Sequence, residues 1–156
     1  MGLFDFLSSK KEQPPQEERK LVKEDFYVTG TYYHQTEIKR LQNANPDWRK
    51  SGKTLVAEGK VMQRIYHYSY INKPVKIAVD NGSVYKKGAL MVIIAGEHVG
   101  FIKDEDLEHV RSILNKKSVK YVTASISGGE FKIVSENGDA VKWENDIKIN
   151  LRIAYA

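Results

Sequence analysis

The sequence predicts a small, mainly β domain of the OB- or SH3-like barrel class, with two short helices. Three observations carry that expectation. Across residues 147–155, Ile147, Ile149, Leu151, Ile153 and Tyr155 alternate with Lys148, Asn150, Arg152 and Ala154, the period of a half-buried strand. Turn signals recur at short spacing: Asp80-Asn81-Gly82-Ser83, Gly96-Glu97, Gly128-Gly129 and Asn137-Gly138. Helical spacing of apolar residues is confined to two stretches, too few for alternating βαβ units.

Each element has its own signal. Residues 26–33 are aromatic and β-branched and read as the opening strand. Residues 36–43 read as a short helix, with Ile38 and Leu41 on one face and Asn45-Pro46 as its stop. Residues 50–53 read as a loop. Residues 54–70 are rich in β-formers and read as a long strand that bends at Gly59. Residues 74–80 form another strand. Residues 89–95 are a continuous apolar run, a strand buried on both faces, and Gly96-Glu97 turns it into a strand at 98–103. Asp104, Glu105 and Asp106 open a helix, where acids complement the macrodipole. Leu107, Val110, Ile113 and Leu114 form its apolar stripe. The rest reads as strands at 119–126, 131–134, 141–143 and 147–155, giving about eight in all, and no internal repeat is present.

The 156 residues suit one domain, able to bury about two-thirds of its unfolded surface without staples. Residues 8–25 are polar, mixed in charge and broken by Pro14-Pro15, a composition that cannot offset ordering entropy. Residues 1–25 therefore read as a flexible N-terminal segment and linker, and 26–156 as the folded domain. Leu3, Phe4, Phe6 and Leu7 make a small apolar turn, a candidate hook for a protein partner or a membrane surface.

The absence of cysteine excludes disulfides, thiolate metal sites and a Cys nucleophile. No apolar run is long enough to span a membrane. The N-terminus lacks the pattern of a secretory signal, and Phe6 stands where a myristoylation signal needs Ser or Thr. A cytoplasmic protein is the expectation. The net charge of +5 is uneven: residues 39–87 carry eleven Lys/Arg against three acids, and the remainder is slightly acidic. That block raises the prospect of a basic face for an anionic partner.

Motifs for catalysis are missing. Gly52-Lys53-Thr54 resembles the end of a phosphate-binding loop, but Asp47 stands where its first Gly belongs, and a strand is expected to follow. His34, His67, His98 and His109 show no zinc-ligand spacing. No nucleophile elbow occurs. Asp104, Glu105 and Asp106 read as a solvated helix start, and Gly128-Gly129 as a hairpin turn. The expectation is a non-enzymatic protein without cofactor or metal.

Aromatics interleaved with cations remain. Tyr32, Tyr33 and His34 lie where the first strand meets the first helix; Tyr66, His67, Tyr68 and Tyr70 follow Arg64; Tyr85 precedes Lys86 and Lys87. Single-stranded nucleic acid needs planar groups for its bases and cations for its phosphates. Tyrosine is also common in ordinary strands and lysine on ordinary surfaces, so the pattern alone leaves both readings open.

Four pieces in order resemble a HIRAN domain. The first is Val28-Thr29-Gly30-Thr31-Tyr32-Tyr33-His34-Gln35, followed by Ile38 and Leu41. The second is Tyr85-Lys86-Lys87-Gly88-Ala89-Leu90-Met91-Val92, in place of the family's Asn-Pro-Tyr-Asp-x-Asn-Ala-Ile/Val-x-Val. The third is Gly96-Glu97-His98-Val99-Gly100-Phe101-Ile102, similar to Gly-x-x-Val-Gly-Tyr/His-Ile/Leu. The fourth is the helix at 104–114 followed by 122–126 and Gly128-Gly129. The Val-Gly-Phe-Ile element is the most specific.

The resemblance implies an OB-like barrel that binds DNA, in the family typically a single-stranded end with a free 3′-hydroxyl. Such domains occur on helicases and nucleases and alone in bacteria. Tyr32 and Tyr33 would lie at the base-stacking surface, Tyr85 would be the loop aromatic, and Phe101 would line the pocket. Lys86 and Lys87 would meet phosphate, and Lys103 is added on chemistry. Lys86 replaces the family's Asp, Gly88 its Asn and Phe101 its pocket His; the loop Pro is missing, and Asp104 replaces a later Lys. These departures favour phosphate-led binding over hydroxyl recognition. A protein-interaction module, working through residues 1–7 or a barrel edge, is the alternative.

Overall fold

A computed structural model describes residues 20–156; the apolar turn at residues 1–7 and residues 8–19 of the expected linker lie outside the described residues. The elements in order are β1 (Val22–Thr29), a 3-10 turn (Thr31–His34), α1 (Gln35–Leu41), β2 (Asn43–Ala44), a 3-10 turn (Pro46–Arg49) and α2 (Gly52–Ala57). Then come β3 (Ile65–Tyr66), β4 (Tyr68–Ser69), β5 (Val75–Val79), β6 (Leu90–Ile94) and β7 (Glu97–Ile102). A 3-10 turn (Asp104–Asp106), α3 (Leu107–Lys116), β8 (Val119–Val134) and β9 (Ala140–Tyr155) complete the chain.

The fold is mainly β. Seven strands form one antiparallel sheet in the order β3-β8-β9-β1-β7-β6-β5, and β2 and β4 form a separate pair. The sheet curls until β5 lies against β8, but the two do not pair, so the barrel stays open. Its concave side holds Val92, Ile94, Val99, Leu151 and Ile153, all fully buried, with Ile38 of α1 and Val110 and Ile113 of α3 closing the ends. The alternation in 147–155 is the register of β9 against β1, from Val22↔Tyr155 to Tyr27↔Asn150.

Four details differ from the sequence expectation. First, β1 starts at Val22; residues 22–25 pair with β9 while showing mostly polar side chains, so hydrogen bonding rather than burial extends the strand. Secondly, 54–70 is not one strand. Ser51 caps α2 by accepting the Thr54 N–H at 3.2 Å, and Leu55 is buried beside Ile65 and Val134 in a second small core. Positive φ at Gly59 and Met62 then breaks the chain before β3. Gly52-Lys53-Thr54 therefore opens a helix, correcting one ground on which the phosphate loop was set aside; the missing first Gly still stands.

Thirdly, there are three α-helices instead of two among the described residues. Fourthly, Gly128-Gly129 is no hairpin turn. It is a bulge inside the single strand β8, opposite an equally long β9. A Cβ on Gly128 would fall 2.0 Å from the Asp146 carbonyl oxygen, so only glycine fits there. The bulge divides the β8–β9 ribbon into a half that packs on the main core and a half, ending at the Asn137-Gly138 turn, that projects past β1.

Candidate nucleic-acid interface

A cleft of ≈ 820 Å³ opens where β1, β7 and the loop after β5 converge. β1 ends here by changing partner, from β9 to β7, where Val28 opposes Ile102 and Thr29 opposes Phe101. Gly100 permits this crossing: a Cβ there would lie 2.4 Å from the Thr29 carbonyl oxygen and 2.7 Å from a Val28 methyl. The glycine of the Val-Gly-Phe-Ile element thus lets two strands approach and leaves Phe101 half-buried on the cleft wall. Gly30, at φ 76, turns the chain out of β1, and its carbonyl accepts the Tyr33 N–H at 3.1 Å.

The opposite wall is the loop between β5 and β6, organised by Asp80. This carboxylate is 1% exposed. Its Oδ1 accepts the N–H groups of Gly82 and Val84 at 2.9 and 3.4 Å, and its Oδ2 those of Tyr85 and Lys86 at 2.8 and 3.1 Å. Burial pushes its pKa up, but the four backbone donors together outweigh that and hold it below the usual aspartate value. The Arg111 guanidinium donates to the Gly88 carbonyl and ties the far end of the loop to α3. Tyr85 is thereby fixed at the rim with 63% of its surface exposed.

The aromatic rings in the cleft are tilted against one another. Tyr85 lies 5.2 Å from Phe101 at 48°, and Phe101 meets His98 edge-on at 4.8 Å. His34 sits 4.3 Å from His98. Partial burial, reinforced by His98, lowers the His34 pKa, which keeps it neutral at physiological pH. Lys103, Asp104 and Glu105 border the mouth, and the Lys86 ammonium contacts Asp104 at 2.8 Å.

Of the seven sequence candidates, Tyr33, Tyr85, Phe101 and Lys103 line this cleft. Lys86 and Lys87 lie on its loop, Lys86 through its ion pair with Asp104. Tyr32 meets Tyr33 edge-on at 5.6 Å but does not line the cleft. Successive residues of a 3-10 turn point about 120° apart, so Tyr33 faces the cleft while Tyr32 faces a separate groove beside Glu144 and Ile147. His98 and Asp80 were missed as site residues, and His34 was noted only beside Tyr32 and Tyr33 in the aromatic pattern. Asp80 was legible only as a turn residue, although an Asp opening a polar run is the signal of a side chain that collects following N–H groups.

The basic block of residues 39–87 is partly neutralised. Lys50 and Lys60 bracket Asp47 and Glu58 at 2.5 to 3.3 Å, and Arg40 pairs with Glu97 at 3.0 Å. A second aromatic group falls in this region. Trp48, His67 and Tyr68 stack in series at 4.4 and 4.2 Å, within 21° of parallel. Lys132 and Lys142 lie over Trp48, and Lys39 over Tyr68. Lys132 is buried, and its ammonium donates to the carbonyls of Trp48 and Lys50 at 2.8 and 3.0 Å.

Among the described residues, no group of three or more His, Asp or Glu is placed to hold a metal ion. No helix among them is long and apolar enough to cross a membrane. Comparison of the chain with protein-family models, curated proteins and solved structures gives no match.

Proposed function

We propose that the chain is a non-enzymatic, HIRAN-like nucleic-acid-binding module that takes single-stranded DNA or a DNA end in this cleft. One observation carries the reading: Tyr33, Tyr85 and Phe101, from three separate segments, border one open space beside Lys103. Tilted rings leave π-faces free for a base, and stacking is tolerant of sequence. The volume suits a nucleotide-sized group. The ordered resemblance of residues 28–35, 85–92 and 96–102 adds support, because those segments are the ones that meet at the cleft.

In this reading Tyr85 and Phe101 stack on bases while Lys86, Lys87 and Lys103 meet phosphates. Lys86 must exchange Asp104 for phosphate. The pair is exposed, so the exchange costs little. Asp104 and Glu105 are acceptors at the mouth for exocyclic amines or a sugar hydroxyl. Fluorescence anisotropy with labelled single-stranded oligonucleotides tests the proposal. Binding is expected at low salt, with log affinity falling linearly against log salt. A flat titration across oligonucleotides of differing ends would overturn it. Equal affinity for 3′-hydroxyl and 3′-phosphate ends would leave strand binding and remove end recognition.

A further inference from the structure

Among the described residues, nothing pairs with the outer edge of the projecting half of the β8–β9 ribbon. Val134 opposes Ala140, Lys132 opposes Lys142 and Glu130 opposes Glu144. On β8 the Val134 carbonyl accepts from Met62 and the Glu130 carbonyl from His67, so these residues direct their backbone groups away from β9. In an antiparallel ladder the opposed partners do the same. Ala140, Lys142 and Glu144 therefore present N–H and C=O groups outward. β1 covers β9 only from Asn150 onward, and the turn at Thr31–His34 flanks it only from Glu144 to Ile147.

Side chains on this edge are apolar on one face and charged on the other. Val141 and Trp143 are 52% and 59% exposed, beside the buried Phe131. Lys142 and Glu144 alternate with them. Edges are ordinarily protected by charge, because a like charge opposes any incoming strand. Here the two charges are opposite in sign and symmetric about Trp143, so one sequence complements them: its own, run antiparallel.

We propose that the chain forms a two-fold dimer by antiparallel pairing of residues 141–145 about Trp143. Lys142 of each copy then faces Glu144 of the other, twice, in hydrogen-bonded positions. Trp143 faces its own copy in the closer, non-hydrogen-bonded position, and the two indoles cover each other. The alternatives are worse. A two-fold at Lys142 or Glu144 sets like charges face to face, and one at Val141 leaves Lys142 opposite Ala140. The edge is short, so the dimer is expected to dissociate in roughly the micromolar range.

Sedimentation velocity of the full chain over a concentration series tests this. Wild type is expected to shift from monomer to dimer. K142E and E144K should each weaken the dimer by about tenfold or more, since each sets two like pairs across the axis. Mixing those two variants in equal amounts should restore a dimer, and so should the K142E/E144K double variant. Both substituted sites are exposed strand positions, and thermal melting checks that the fold is kept. A monomer at every concentration, charge variants that behave as wild type, or a mixture that stays monomeric would each overturn the proposal. The first of these would mean that the edge is bare or is reserved for a different chain.

Discussion

The cleft and the Trp48 stack are both aromatic–cation clusters, and they differ in where the rings direct their faces. In the stack of Trp48, His67 and Tyr68 the faces are used up. Each ring covers the next, and Lys39, Lys132 and Lys142 occupy the outer faces. In the cleft, Tyr85, Phe101 and His98 meet at 48° and 89° without stacking, and the cation over them, Lys86 at 5.6 Å from the Tyr85 ring, is an exposed side chain paired with Asp104. Both clusters have the composition that nucleic-acid binding requires and both border open space, but the groove of ≈ 520 Å³ beside His67 and Tyr68 meets rings already stacked on one another, whereas the cleft of ≈ 820 Å³ meets rings tilted apart. In the proposed reading the stack is internal support for the base of the β8–β9 ribbon, and the cleft is the receptor.

The most damaging single change should be Asp80→Ala. It removes the acceptor of four N–H groups that hold Tyr85 at the rim, while leaving the stack untouched. Oligonucleotide affinity is expected to fall by more than about tenfold, the loss of one stacked base or more. Acid gives the same result in wild type. The folded pKa of Asp80 lies below its unfolded value of about 3.9, so its contribution to stability is complete above that value. It is lost as pH falls through the folded pKa. Hydrogen exchange in residues 82–86 should rise in that acid range, and Asp80→Asn should flatten the dependence.

Tyr85→Ala and Phe101→Ala come next, each expected to cost about 1–3 kcal/mol in binding. Tyr68→Ala should leave affinity unchanged. If the tyrosine of the stack mattered as much as that of the cleft, the distinction between the clusters would fail. Trp48→Ala sharpens it from the other side. It should lower thermal stability by about 1–3 kcal/mol, through lost packing over Lys132 and His67, with affinity preserved. The smallest effect is expected from Lys86→Ala, because Asp104 already shares its charge. The salt slope should shrink by about one phosphate or less.

What was legible in the sequence follows from how local each signal is. The alternation in 147–155 marked β9, and Leu107, Val110, Ile113 and Leu114 marked α3, because burial on one face imposes a period. Val99-Gly100-Phe101-Ile102 stood out through the resemblance alone, and the close backbone approach that its glycine allows is what the structure adds. Residues 54–70 misled because the aromatic β-formers cluster at 66–70, whereas Thr54–Ala57 is held in a helix against its β-branched composition by burial of Leu55 and by a cap. The Ser51 cap was the overlooked signal. The join of 119–126 to 131–134 across Gly128-Gly129 was hidden because a bulge and a turn use the same glycines. Tyr32 and Tyr33 looked equivalent in sequence, and the 120° step of a 3-10 turn separated them.

The comparison between clusters is tested most directly by ¹H–¹⁵N spectra of the full chain titrated with a short single-stranded oligonucleotide. Shifts are predicted in residues 30–34, 84–87 and 101–105, with the amides of Trp48, His67 and Tyr68 unmoved. Shifts centred on Trp48, His67 and Tyr68, or no shifts at saturating oligonucleotide, would contradict the assignment of the cleft as the receptor.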